Sequence, residues 1–337
     1  MEIEFEHKQS AHCENGVTAG LLNFYGYDFM SEPLAFGMGS GLFYIHLPFI
    51  KFNNGPGISF RTMPGAIFNR TCKALQIKVV RKKFKDSQKA REYVEDKIAQ
   101  KIPVGCQVGV YHLPYFPEKY RFHFNAHNLI IYGKENGKFL VSDPVMENVT
   151  TLTPDELDKV RFAKGMLAPR GHVYFPAITG NPDLENLRAG IVKGIKRNAR
   201  DMLYIPGNFA GVKGIVYTSK QIRGWRNKLG GRRAGLYLGH IVRMQEEIGT
   251  GGGGFRFIYA AFLEKASEIL NNNELLKISD EFTKAGDLWR NSAVLMAGIY
   301  KNRLTEQKDF DQIADMLVEI SEIEKLAFKK LIKIKYN

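Results

Sequence analysis

Cysteine is scarce in this chain: Cys13, Cys72 and Cys106 are the three thiols among 337 residues. A small, odd number of cysteines excludes a disulfide framework and fits a reducing compartment. No apolar run is long enough to cross a bilayer. The opening residues, MEIEFEHKQS, are too acidic and polar for a secretory signal, so a cytoplasmic protein is expected. Cysteines, histidines and carboxylates do not fall at metal-ligand spacing, which predicts no metal site. Zinc-knuckle, helix-turn-helix and RNP-like signatures are missing, and with them the usual grounds for nucleic-acid binding. The segment GMGSG lacks the Lys-Ser/Thr of a phosphate-binding P-loop and is read as a turn.

What is present is an ordinary globular composition, 44% hydrophobic and 25% charged, with a net charge of +13. The length suits two domains. Basic residues cluster in KVVRKKFKDSQKAR (78–91), in GWRNKLGGRR (224–233) and in the terminal KKLIKIKYN. Two readings of that charge stand side by side: a docking face for an acidic partner, or a solvated lysine-rich surface.

The residue pattern predicts an α+β protein with a mixed domain over 1–178 and a helical domain over 179–337. A helix is expected from about 13 to 25, followed by an irregular stretch from 37 to 66 marked by GMGSG, NNGPG and MPG. ALQIKVVRKKF reads as a strand and SQKAREYVEDKIAQ as a helix capped by Ser87. HNLIIYGKENGKFLVSDPV reads as a β-hairpin, with His127 on its first strand and Asp143 at the end of its second. TPDELDKVRFA carries a Thr cap with Pro at the first helical position. APRGHVYFPAI reads as a strand returning to the first domain. From Asn181 onward the periodicity is helical.

Cys13, in SAHCENG, opens the first helix. A thiol there meets the positive end of the helix dipole, which favours thiolate. His127 would supply proton transfer and Asp143 would hold its ring in one tautomer. Against this, Cys13 also fits a buried core position, Asp143 fits a turn initiator before Pro144, and His112 and His123 compete with His127. Cys72 and Cys106 read as structural.

The order Cys, His, Asp is the papain-like layout, and the surrounding stretches carry a wider likeness. The HC-helix start, YGYDFMSEPLAFGMGSGLFY, VGVYHLPYFPEKY, AHNLIIYG and SDP fall in order across roughly 10–150. They resemble the N-terminal domain of the butirosin-biosynthesis protein H family. EEIGTGGGGFRFIYAAFLEKA, within roughly 165–335, resembles the helical domain that follows in that family.

The resemblance implies a papain-like cysteine acyltransferase in natural-product biosynthesis. It would move an acyl group from an acyl carrier protein or coenzyme A thioester to a small-molecule amine through an acyl-enzyme. Cys13 matches the nucleophile, His127 the base and Asp143 the orienting carboxylate. No resident cofactor is implied, the phosphopantetheine arriving with the donor. The oxyanion donor is open between Gln9, His7 and the Cys13 backbone N–H. His12, which also matches, is read as packing, capping or contacting substrate. In GTGGGG (249–254), Gly251 and Gly252 permit close backbone approach, and Arg256 is placed to meet a substrate carboxylate or phosphate; a plain interhelical connection is the other reading. A papain-like peptidase or amidase is the alternative enzyme, and a non-enzymatic binder on the same fold is the third reading.

Overall fold

The computed structural model describes residues 3–52, 55–178 and 180–336. In chain order, α1 (Cys13–Phe24) and α2 (Glu32–Met38) precede β1 (Leu42–Phe52) and β2 (Gly55–Arg61). Next come α3 (Ala66–Ala74), β3 (Lys78–Lys82), α4 (Ser87–Ala99), β4 (Val104–Val108), β5 (His127–Glu135) and β6 (Lys138–Ser142). Then follow β7 (Thr150–Leu152), α5 (Pro154–Arg161) and β8 (Val173–Ala177). The remainder is helical: α6 (Leu184–Tyr204), α7 (Gly211–Leu229), α8 (Gly231–Val242), α9 (Arg256–Leu270), α10 (Asn273–Tyr300) and α11 (Gln307–Lys333).

The protein therefore mixes helix and sheet, and it divides into two compact units. One comprises Met1–Ala35 with Ile67–Asn186, the other Phe36–Ala66 with Leu187–Asn337. The sequence division at 178 sends the chain once from a mixed domain to a helical one. In the structure, Phe36–Ala66 groups with the helices instead.

The first unit is built on a six-stranded sheet in the order β3-β8-β4-β5-β6-β7, antiparallel throughout. The returning segment 168–178 supplies β8, which sits between β3 and β4. β5 and β6 are joined by Asn136 and Gly137, both at positive φ (47° and 78°), as a primed turn requires. Strand alternation puts Leu129 and Ile131 with Cys106, Val108, Phe139, Val141, Val173 and Phe175 in one buried cluster. Val94 and Ile98 of α4 and Leu157 and Val160 of α5 cover it. Each such buried side chain contributes roughly 1.5–3 kcal/mol. The alternate residues of β5 turn to the other face, where α1 packs: a Cβ at Gly20 would lie 3.2 Å from Ile130.

Local signals set the helix starts. Thr153 and Glu156 form a reciprocal capping box with Pro154 at the first helical position of α5. In α4 the cap is Asp86, not Ser87; the Asp86 backbone is extended and its carboxylate accepts the Lys89 N–H at 2.8 Å. The two residue types are equivalent caps, so the sequence alone misplaces the boundary by one residue.

In the second unit the stretch expected to be irregular holds the β1–β2 hairpin, antiparallel with register shifts. The aromatic and β-branched run LFYIHLPFIKF decides for strand over the neighbouring glycines and prolines. Asn53 and Asn54 of the NNGPG signal lie outside the described residues. Tyr44 and Phe60, one from each strand, pack with Trp289 of α10. Thr218 of α7 hydrogen-bonds to both Tyr44 (2.6 Å) and His46 (2.8 Å).

Candidate active site

α1 begins at Cys13 because His12 breaks into extended backbone and its Nδ1 accepts the Asn15 N–H at 3.4 Å. The loop before it is clamped. Glu32 accepts the N–H groups of Ala11 (2.9 Å) and His12 (2.8 Å), and Ser10 N–H donates to Pro144 O at 2.7 Å. Burial pushes the Glu32 carboxyl up, against those hydrogen bonds, which act to lower it. Glu14 is wholly buried and accepts the N–H groups of Ile67 (2.9 Å) and Phe68 (3.4 Å) at the start of α3. Gly16 lets α1 approach the turn that carries Asp143: a Cβ there would sit 2.4 Å from Pro144 Cβ and 2.8 Å from Ser10.

The hairpin brings the other two groups in. His127 starts β5, and Asp143 follows the last residue of β6. His127 Nε2 lies 2.7 Å from Asp143 Oδ2, which also accepts the Tyr115 hydroxyl at 2.8 Å. Asp143 Oδ1 accepts the Val145 N–H at 3.2 Å. The Cys13 sulfur lies close enough to the His127 ring to act on its charge, and it is 3.8 Å from the amide of the next residue, Asn128. With Nε2 turned to Asp143, Nδ1 is the nitrogen left for sulfur. All three groups are buried: Cys13 is 6% exposed, His127 5% and Asp143 0%.

Burial acts to lower the His127 pKa, but the Asp143 charge and the Cys13 sulfur outweigh it, and the imidazole is pushed up to about 10. Phe116 meets the ring edge-on at 5.5 Å. Burial, reinforced by Asp143, holds the Tyr115 phenol well above its ordinary range, so it stays a donor to the carboxylate.

The structure thus brings together Cys13, His127 and Asp143, and it separates them from their competitors. His123 is exposed and stacks on Tyr111 at 4.1 Å. His112 packs edge-on against the same ring. Cys72 and Cys106 are fully buried, and burial pushes both thiols up, Cys72 to about 12.

The side chains considered for an oxyanion are engaged otherwise. Gln9 is exposed. His7 is held by Ser142 Oγ (2.8 Å) and Met146 O (3.1 Å). At the sulfur stands Asn128 instead, its Nδ2 3.8 Å from Cys13 Sγ and its Oδ1 accepting the Tyr174 hydroxyl at 2.8 Å. Tyr115, Asn128, Tyr174 and Glu32 were not singled out by sequence. For Asn128 the signal was its place next to His127, since consecutive strand residues address opposite faces.

The glycine-rich turn and Arg256 belong to the second unit, and their anions are internal. Arg256 is 0% exposed and pairs bidentately with Glu324, Nε–Oε1 at 2.8 Å and Nη2–Oε2 at 2.9 Å. Its Nη1 donates to Gly254 O at 2.8 Å, and Trp289 Nε1 donates to Glu324 Oε1 at 2.9 Å. The Gly253 N–H meets Glu246 at 3.1 Å, and the Gly252 N–H meets Thr250 Oγ1 at 3.0 Å. Gly251 is exposed. Gly251 to Gly254 all have positive φ, and Gly253 lies against the Gly286 backbone of α10. In place of the expected substrate anchor stands a tight internal connection; the guanidinium is consumed by a carboxylate far away in sequence.

A thiol, an imidazole and a carboxylate in series can carry out covalent acyl chemistry, with the imidazole moving the proton. Among the described residues no cluster of His, Cys, Asp and Glu could hold a metal ion, and no helix is long and apolar enough to cross a membrane.

Residues 12–144 match the family described as Butirosin biosynthesis protein H, N-terminal. Residues 155–331, more than half of the chain, match the family described as Domain of unknown function (DUF4872). No curated protein matches the sequence. The candidate site falls within the first match, with His12 at its opening residue and Asp143 one residue before its end. The chain belongs to the butirosin-biosynthesis protein H family, its N-terminal domain followed by the domain of unknown function.

Proposed function

We propose that this protein is a papain-like cysteine acyltransferase acting in butirosin-type natural-product biosynthesis. The observation that carries the reading is the buried set Cys13, His127, Asp143, with Asp143 2.7 Å from the imidazole and the Cys13 sulfur near enough to raise the ring's pKa. In the first half-reaction Cys13 Sγ attacks the carbonyl of an acyl thioester and forms a new C–S bond. His127 holds the proton from the thiol. The tetrahedral intermediate collapses, the donor's C–S bond breaks, and His127 passes that proton to the departing thiolate. In the second half-reaction an amine attacks the Cys13 thioester, His127 takes the amine proton, and Cys13 leaves as the thiol side of the pair. Asp143 holds the ring in the tautomer both steps need.

The donor is a carrier-bound or coenzyme A thioester. Supporting this are the net charge of +13 and a groove of about 690 Å³ along α6. Lys193, Lys196, Arg197 and Arg200 line that groove together with Asp201, which pairs with Arg197, and with Leu270 and Tyr336 as apolar wall. Carrier proteins are acidic, and the cationic row complements them. Hydrolysis by the same three groups is the competing outcome. Burial of all three favours transfer, because an acyl-enzyme waiting for an amine must be kept from water.

Intact-mass spectrometry after incubation with acyl thioesters tests the reading. The wild type should gain one acyl mass and lose it as amide when an amine is added. Cys13→Ala should gain none, while Cys72→Ala and Cys106→Ala should retain the adduct. Turnover by folded Cys13→Ala at the wild-type rate would sink the covalent route.

A further inference from the structure

When sulfur attacks a carbonyl, the oxygen takes up a negative charge that must be met by preorganised donors. Cys13 contributes its own N–H, one of the first in α1 and so without a partner inside the helix. A second donor, usually a side-chain amide or another N–H, is needed close to the sulfur. Gln9 and His7 do not supply it, the first exposed and the second tied to Ser142 and Met146.

We propose that Asn128 is the side-chain donor of the oxyanion hole, a catalytic role that rests on the acyl-transfer reading given above. Its Nδ2 is 3.8 Å from Cys13 Sγ. An oxygen on a carbon bonded to that sulfur lies roughly 2.6–2.7 Å from sulfur, which leaves room for a contact of roughly 2.7–3.1 Å to Nδ2. The amide is fixed from both ends. Oδ1 accepts from Tyr174 OH at 2.8 Å, and one Nδ2 proton goes to Ala126 O at 3.1 Å. A flipped amide would set two carbonyl oxygens against each other at Ala126, so the second Nδ2 proton has to face the sulfur side.

The mount is rigid as well as oriented. Asn128 sits in β5, paired with Gln107 of β4 inside the six-stranded sheet, and is 5% exposed. Tyr174 reaches it from β8. Along β5, His127 turns to the Asp143 side and Asn128 to the α1 side. The chain thereby presents a proton carrier and an oxyanion donor to one thiol from adjacent residues. As the new C–S bond forms, the carbonyl π pair moves onto oxygen and is held by Asn128 and the Cys13 N–H. As the intermediate collapses, the C=O bond reforms and the donor's thiolate departs with the proton from His127.

The test compares wild type, Asn128→Ala and Tyr174→Phe in two reactions. The first is acylation of Cys13, followed by intact mass, using both an N-acetylcysteamine thioester and a p-nitrophenyl ester. The second is alkylation of Cys13 by iodoacetamide across pH, which forms no oxyanion. Asn128→Ala should slow acylation by about 10²–10³-fold. Its alkylation rate should stay within about threefold of wild type, with the pH profile unmoved. Tyr174→Phe, which keeps the amide but frees it, should slow acylation about tenfold, the worth of one hydrogen bond. It carries the comparison alone if Asn128→Ala does not fold.

Acylation of the variants at the wild-type rate overturns the proposal. So does alkylation that falls in step with acylation, which would make Asn128 a positioning residue for the thiol. A wild type that takes the p-nitrophenyl ester but no thioester refutes the donor assignment alone, and Asn128 is then judged on the ester. A wild type that accepts neither refutes both.

Discussion

Asp143→Asn is nearly isosteric, and its consequence can be worked out atom by atom. Oδ1 is retained, so the Val145 N–H keeps its acceptor at 3.2 Å. At the other position an NH2 replaces the oxygen on which two donors converge, His127 Nε2 at 2.7 Å and Tyr115 OH at 2.8 Å. The Tyr115 hydroxyl can rotate its proton away and accept. The imidazole can accept only by giving up its Nε2 proton, and the proton it keeps then sits on Nδ1, facing Cys13. An N–H toward the thiol cannot take the thiol's proton, so the base is lost although the ring has not moved. Two hydrogen bonds to a carboxylate, roughly 1.5–3 kcal/mol each, are exchanged for neutral ones of about 1 kcal/mol, a net cost of about 1–4 kcal/mol in stability. The rate should fall by about 10⁴-fold, as expected when a triad histidine is locked in the wrong tautomer.

Single-turnover acylation of Cys13 by a thioester, read by intact mass, measures the rate. Nitrogen-15 spectra of the imidazole report which nitrogen holds the proton. Acylation within tenfold of wild type, or a proton still on Nε2 in the variant, would refute the reasoning.

The elevated His127 pKa has a thermodynamic consequence of fixed sign. A group whose pKa is raised on folding, here to about 10 from 6.5, stabilises the fold fully below pH 6.5 and loses that contribution as pH climbs through 10. Denaturant unfolding should therefore show wild-type stability declining from pH 7 to 10 relative to Asp143→Asn; parallel curves would contradict the assignment. In the second unit, Arg256→Met should cost about 3–5 kcal/mol by leaving Glu324 charged without its cation, while Arg256→Met with Glu324→Leu should recover most of it. Thermal melts of the two variants decide that, and equal losses would refute the pairing argument. For donor docking, KM for a carrier-bound donor should rise steeply with salt and on Lys193→Glu with Arg200→Glu, whereas a small thioester should respond to neither. Equal salt response of the two donors would remove the docking surface and leave the chemistry untouched.

The parts of the site that could be read from sequence are those set by local signals. A cysteine ahead of ENGVTAGLLNFYG, a hairpin around Asn136 and Gly137, and an aspartate before Pro144 each fix their own backbone within a few residues. That local order is enough to place Cys13 on a helix start, His127 on a strand start and Asp143 at a strand end. The contacts that finish the site are long-range and have no such signature. Tyr115 meets Asp143, Tyr174 meets Asn128, and Glu32 meets the loop before Cys13 through chain folds that no spacing announces.

The same distinction explains Arg256. Its position beside a glycine-rich turn suits an anion, and the structure does supply one, but Glu324 comes from another helix and desolvates the pair completely. Phe36–Ala66 misled for a different reason. Glycine and proline punctuate both loops and hairpins, and the strand there is revealed only by what it packs against: Tyr44 and Phe60 on Trp289, and Tyr44 and His46 on Thr218. Gly16 marks the boundary between the two kinds of information. Its identity is visible in the sequence, yet its meaning lies in the 2.4 Å that a Cβ would leave to Pro144. The missing side chain brings α1 against the turn after β6, and so sets the nucleophile and the carboxylate on either side of one imidazole.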